Sequence, residues 1–247
     1  MKCPKTFIKT ANHGKSTLTQ IRYTNRPVTL GKNTPIQIPD IEDDRNINSV
    51  SDLDALASEG NLKFSVEKLS GDTVSTVLAP IDSDIQPNVI RVHDPKGTFF
   101  KIVEWIENNV GFSSIFDSNI SESSKVHKTA FISDSVRLGE NCKIGPGVVI
   151  YPNVSLGDNC VVEANSVIGN AGFGVIRNDF STSMVPQIGG VLIQNDVRIG
   201  ALTTVDRATI GLTHIGDHTR VDDQVHIGHN CNIGSRNVIC GGANIAG

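Results

Sequence analysis

Four histidines fall within sixteen residues of the C-terminal part of this chain: His214, His218, His226 and His229, with Asp206, Arg207 and Asp222 close by in sequence. Imidazole titrates near neutrality and is also a common metal ligand, so such a group could move protons or hold zinc. The HxxxH and HxxH spacings would converge on a helix. On β-coils and turns they diverge, because alternate residues point apart. No carboxylate that would orient a ligating imidazole can be picked out, so a metal site is disfavoured. Taken alone, a histidine in such a place reads as an ordinary turn residue. The five cysteines (Cys3, Cys142, Cys160, Cys231, Cys240) are odd in number and form no CxxC pair. They read as free thiols in a reducing compartment.

These residues sit on a repeat. From Ile120, every sixth residue is aliphatic: Ile120, Val126, Ile132, Leu138, Ile144, Ile150, Leu156, Val162 and Ile168. A small or β-branched residue stands two places before most of these anchors, as at Val136, Cys142 and Val148. Glycine often follows, as at Gly139, Gly145, Gly157 and Gly169, and is expected to supply a positive φ at tight corners. The phase resumes at Ile193 and runs through Ile199, Val205, Ile215, Val221, Ile227, Ile233, Ile239 and Ile245. Hexads of this kind predict a parallel β-helix, in which stacked coils bury a core that no single coil could make. Three hexads per coil would stack residues 18 apart, placing Cys142 directly against Cys160 as a compact apolar filler. Residues 170–190 have no hexad phase and are expected to leave the helix as a loop. The step from Val205 to Ile215 is ten residues where two hexads would take twelve, so a shortened, distorted coil is expected there.

Before the repeat, Asp94 can cap a helix, Pro95 suits its first turn and Gly111 its end, with Phe99, Ile102, Val103, Ile106 and Val110 on one face. Residues 28–93 alternate short apolar runs with turn residues. The expected organisation is an unassigned extension over 1–27, a small α/β domain over 28–111 and a β-helix domain over 112–247. The chain carries 22 basic and 26 acidic residues, yet residues 1–39 hold seven basic residues and no acidic one. That start could be an organellar transit segment, though it lacks a clean amphipathic pattern. Otherwise a cytoplasmic protein is expected. The net charge of −4 and the absence of a basic stripe argue against a nucleic-acid binder, and no apolar run is long enough for a membrane helix.

Several segments resemble one family within the hexapeptide acyltransferases, the UDP-3-O-acylglucosamine N-acyltransferases of lipid A biosynthesis. They are GNAGFG (169–174), VPQIGGV (185–191), TTVDR (203–207) and VDDQVHIGHNCNIG (221–234), in the family's order and spacing. NSVSDLDALASEGNLKF (48–64) and VHDPKGTFFKIV (92–103) are similar more weakly. The resemblance implies a small uridine-binding domain joined to a left-handed β-helix that forms a homotrimer. It implies no cofactor: an acyl carrier protein delivers a (3-hydroxy)acyl thioester to the amine of a UDP-linked 3-O-acylglucosamine. It implies His229 as general base for that amine. Asp222 would orient the base or bind sugar, or else be a solvated turn carboxylate. Phe173 would wall the cleft between subunits, or pack locally. Asp206 and Arg207 would contact ligand, or form an ion pair bracing the unusual coil. Phe64 would stack on uracil, and His226 stands where the family usually has Gln.

The chain departs from the family in two further places. The pattern F-x-x-N-x-x-Y after the uracil-stacking Phe becomes Phe64, Glu67 and Ser70, which removes one stacking ring and adds a carboxylate beside a phosphate site. The family also continues for further coils and a helical C-terminus, so a C-terminally incomplete chain with weak or absent acyl transfer is expected. Two other readings stay open: a related sugar acyltransferase or acetyltransferase using acyl-CoA, and a non-catalytic homologue whose β-helix only assembles.

Overall fold

The structure, a computed structural model, describes residues 89–177 and 181–247 throughout, residues 76–83, and short strands nearer the N-terminus. Phe7–Lys9 and Leu18–Gln20 pair as an antiparallel ribbon. Val28–Thr29, Ser49–Val50, Asn61–Phe64, Thr76–Pro80 and Val89–Val92 form a five-stranded sheet, antiparallel in its first pair and parallel thereafter. The helix that follows is Pro95–Asn109, and the Asp94 carboxylate accepts the Gly97 N–H at 2.9 Å. A Cβ at position 97 would crowd that carboxylate, which would have to shift to keep the cap. Gly111 ends the helix at φ +80, as its place in the sequence implied.

From Asn119 the chain winds through six coils whose strands form three parallel six-stranded sheets, the faces of a left-handed β-helix. The first face begins at Asn119–Ile120, the second at Lys125–Val126 and the third at Phe131–Ile132. Regular coils stack at the expected 18-residue register, Val136 on Val154 and Ile132 on Ile150. The anchors from Leu138 to Ile227 line the interior, and the positions two before them point inward as well. Full burial of each Leu or Ile is worth roughly 1.5–3 kcal/mol, which is how coils of such short strands hold together.

Cys142 and Cys160 occupy that second inward column with their thiols free. Their slot is more than apolar filler. The Cys142 thiol donates to the Gly157 carbonyl and the Cys160 thiol to the Gln194 carbonyl, as Thr219 does to Gly234 and Ser166 to Gly200. A small donor at this position satisfies a corner carbonyl that the interior would otherwise leave unpaired. Outside, side chains of the Asx type perform the matching service. Asp158, Asn195 and Asp217 each accept a backbone N–H from the coil before them.

Two expectations about the corners need correction. The positive φ belongs to the residue three before most anchors, which is most often Asn: Asn141, Asn153, Asn159, Asn165 and Asn230 all lie between +56 and +62. Asn tolerates this left-handed region by local hydrogen bonding. Of the glycines after the anchors, Gly169 has the expected positive φ, at +84, while Gly139, Gly145 and Gly157 serve close approach instead. A Cβ at Gly200 would lie 2.4 Å from the Asp222 carbonyl carbon on the next coil. Second, the coil after Val205 is lengthened. Ile193 pairs with Ile215 and Val205 with Ile227, each 22 residues on instead of 18, so four residues are inserted and no hexad is lost.

The larger insertion behaves as the sequence suggested. Val154 pairs with Val191, 37 residues on, and the surplus chain leaves the coil as the antiparallel hairpin Val175–Arg177 with Thr182–Met184. It does not project freely. Val185, Ile188 and Ile210 join one buried cluster with Leu62, Leu78 and Ile90 of the sheet and Phe99, Val103 and Ile106 of the helix. The N-terminal sheet and helix therefore clamp the base of the loop and the four-residue insertion.

Candidate functional site

His229 stands where these features meet. Ile227 points inward on the third face, and the chain then turns the corner through Gly228, His229 and Asn230, the last at φ +60. The half-buried imidazole lies in a slot. A Cβ on Gly172, in the departing loop, would come within 2.6 Å of the His229 Cβ and 2.8 Å of Cδ2. A Cβ on Gly247, in the next coil, would lie 2.9 Å from Nδ1. Both glycines are needed to let the ring fit between loop and coil.

The Nδ1 atom has two neighbours. It is 3.0 Å from Asn230 Oδ1 and 3.5 Å from Thr209 Oγ1. Thr209 lies in the inserted stretch, and its hydroxyl donates to Gln187 Oε1 at 3.0 Å. Asn230 Oδ1 also accepts the Thr209 N–H at 2.9 Å, while its Nδ2 donates to the Ile210 carbonyl at 3.0 Å. Segments that are distant in sequence (185–191, the insertion after Asp206, and 226–230) thus converge on one ring. Gln187, Thr209, Asn230 and Gly172 were not singled out from sequence. Three lie inside the quoted segments, and Thr209 is betrayed only by the broken repeat.

His226 lies outward on the third face. Its Nδ1 is 2.7 Å from Thr204 Oγ1, one coil back, and its Nε2 is 3.7 Å from Asp206 Oδ2. Asp206 is only 5% exposed. Burial pushes its carboxyl above the ordinary carboxylate range, and the nearby His226 and His229 oppose that shift. The ion pair expected between Asp206 and Arg207 is absent, because the carboxylate turns to His226. Arg207 is half-buried beside Glu107 of the helix and Tyr151, its Nε without a hydrogen-bond partner, and desolvation lowers its pKa.

The raised carboxyl sets a sign for stability. A group whose folded pKa lies above its unfolded value favours folding when protonated and loses that contribution as pH rises through the folded value. Asp206→Asn is therefore expected to raise the melting temperature near neutrality, with the gain shrinking toward acid. Melts of both proteins between about pH 4 and pH 7 check this, and parallel curves would contradict it.

The other expected residues are scattered. Asp222 is exposed at the corner after the second face, one corner away from His229, and its Oδ2 accepts the Gly241 N–H at 3.1 Å. Phe173 is 79% exposed, so it does not pack locally. Phe64 ends a strand of the N-terminal sheet, but its side chain, like Glu67 and Ser70, lies outside the described residues. His214 is buried on the first face and His218 sits in a corner at φ +59, so the four histidines do not converge. Among the described residues no three His, Cys, Asp or Glu side chains are grouped to hold a metal, and no helix is long and apolar enough to cross a membrane.

Comparison with known proteins follows the fold. Residues 117–170 match the family model described as bacterial transferase hexapeptide (six repeats). The chain is 48% identical over 86 residues to the UDP-3-O-acylglucosamine N-acyltransferase of Dechloromonas aromatica, covering 35% of this chain and 25% of that protein. It is 47% identical over 77 residues to the enzyme of the same name from Rhodopirellula baltica, covering 31% and 20%. A solved structure of Francisella novicida UDP-N-acetylglucosamine acyltransferase matches at 27% identity over 52% of this chain and 50% of that one, with a TM-score of 0.30. The matched stretches thus span a quarter or less of the two curated relatives. Residues 117–170 are thus similar to the hexapeptide-repeat transferases, and the chain is similar over about a third of its length to the UDP-3-O-acylglucosamine N-acyltransferases.

Proposed function

We propose that the chain carries an N-acyltransferase site in which His229 Nε2 takes a proton from the glucosamine amine of a UDP-linked 3-O-acylglucosamine. The amine attacks the carbonyl carbon of a (3-hydroxy)acyl thioester on acyl carrier protein. A C–N bond forms, the C–S bond breaks, and the proton leaves with the thiol. The thioester is already activated, so no nucleophilic cysteine is required, and Cys142 and Cys160 are spent on structure. An amine must be neutral to attack, and a positioned imidazole is suited to removing its proton.

The observation that carries this reading is the placement of His229: a half-buried imidazole in a slot between two glycines, its Nδ1 engaged within the chain. The names of the curated relatives support the substrate class. Exposed apolar side chains along the coils (Phe131, Leu202, Val238) support assembly as a homotrimer, with the cleft beside Phe173 shared between subunits. The test is donor choice. Purified protein given UDP-3-O-acylglucosamine is expected to form amide from hydroxyacyl carrier protein and not from acetyl-CoA. The reverse preference would move the reading to the acyl-CoA-dependent sugar acetyltransferases.

A further inference from the structure

We propose that Asn230 is a positioning residue that fixes His229 as its Nδ1–H tautomer, so that Nε2 is the atom left bare to accept a proton. The inference rests on the reading of His229 as general base and deepens it. The argument is one of donors and acceptors, and every link is determined. The Thr209 backbone N–H can only donate, so the Asn230 atom it meets at 2.9 Å is the amide oxygen. The Ile210 carbonyl can only accept, so the atom meeting it at 3.0 Å is the amide nitrogen. The Asn230 amide is thereby locked in one orientation, and its oxygen faces His229 Nδ1 at 3.0 Å. An oxygen that only accepts requires a proton on Nδ1.

The second neighbour gives the same answer independently. Gln187 Nε2 donates to the Val185 carbonyl at 3.1 Å, which leaves Oε1 as the acceptor for the Thr209 hydroxyl proton at 3.0 Å. With its proton committed, Thr209 Oγ1 at 3.5 Å can only accept from Nδ1. Gln187 is 6% exposed, so water does not compete for its amide. Thr209 and Ile210 exist at this place only because the coil carries four extra residues. The insertion thus builds the acceptor pair that sets the tautomer. A base held in the wrong tautomer presents N–H where a lone pair is needed, and such an error is very costly in rate.

The test is nitrogen NMR of protein labelled at histidine, with His229→Ala to assign the signal. The neutral His229 ring is expected to show a protonated, pyrrole-type Nδ1 and an unprotonated, pyridine-type Nε2. Asn230→Gly, which keeps the positive φ without strain, leaves Nδ1 only the long 3.5 Å contact to Thr209 Oγ1, and is expected to mix the two tautomers and to lower kcat by on the order of a hundredfold with little change in KM. Asn230→Asp, which keeps the acceptor, is expected to retain the Nδ1–H form and most of kcat. A wild-type ring protonated on Nε2 would overturn the proposal, as would an unchanged tautomer in Asn230→Gly. The NMR result is read without any assay, so a wrong tautomer assignment is distinguishable from a wrong function.

Discussion

Purified His229→Ala is expected to lose 10²–10⁴-fold in kcat for amide formation while melting within a degree or two of the wild type, about the range that general acid–base catalysis supplies. The ring is half-buried and outside the coil interior, so its loss leaves no cavity among the anchors. Its hydrogen bonds reach Asn230, whose own fold-making contacts to Thr209, Ile210 and Thr213 do not pass through the ring. A large rate loss with an intact fold is the signature of a reacting group. A parallel fall in both would make His229 a turn residue whose ring props the loop.

Gly172→Ala is the second large effect expected, and it acts from the other wall of the slot. The added methyl would lie 2.6 Å from His229 Cβ, 2.8 Å from Cδ2 and 2.9 Å from Cγ, closer than carbon atoms approach. The backbone at Gly172 needs no positive φ, so the residue itself pays no conformational strain. The conflict is resolved by moving the loop or turning the imidazole. Displacing a reacting group by about 1 Å can cost on the order of 10²-fold, and kcat is expected to fall by roughly that much. Stability should change little, because the coil anchors and the cluster around Phe99 are untouched. Kinetics and melting on the one variant check it. Unaltered kcat would mean that the loop does not bear on the base during turnover.

Much of the fold was legible because the β-helix writes its period directly into the chain. Each anchor from Leu138 onward must be apolar to fill a narrow interior, so six-residue spacing and 18-residue stacking follow from one physical demand. The helix was equally plain, through Asp94, Pro95 and Gly111. Reading the corners was harder. A ten-residue step between Val205 and Ile215 is compatible with a lost pair or an inserted four, and only the pairing of Val205 with Ile227 decides. The glycines after the anchors looked like sites of positive φ, but only Gly169 among those named is one, and the commoner mark of that conformation was the Asn three places before an anchor.

The site was legible in its centre and not in its shell. His229 and His226 were named from the segment that carries them. Asp206 and Arg207 are adjacent in sequence, which suggested a pair, yet adjacent strand residues face opposite ways. Asp206 therefore meets His226 on the neighbouring coil, and Arg207 makes no ion pair with it, feeling instead the charge of Glu107 on the helix. Asp222 is near His229 in sequence but one corner away on the triangular coil. Gln187 and Thr209 reach the imidazole through contacts across 20 or more residues, a separation that neither spacing nor composition encodes.

The most direct measurement is a single turnover. The protein is mixed with carrier protein bearing an isotope-labelled hydroxyacyl thioester and with UDP-3-O-acylglucosamine, and the sugar is recovered for mass spectrometry. The label is expected in amide linkage to the sugar with the wild type and to be nearly absent with His229→Ala. Equal labelling of the sugar by the two proteins would contradict the assignment of His229 as the base of an N-acyl transfer.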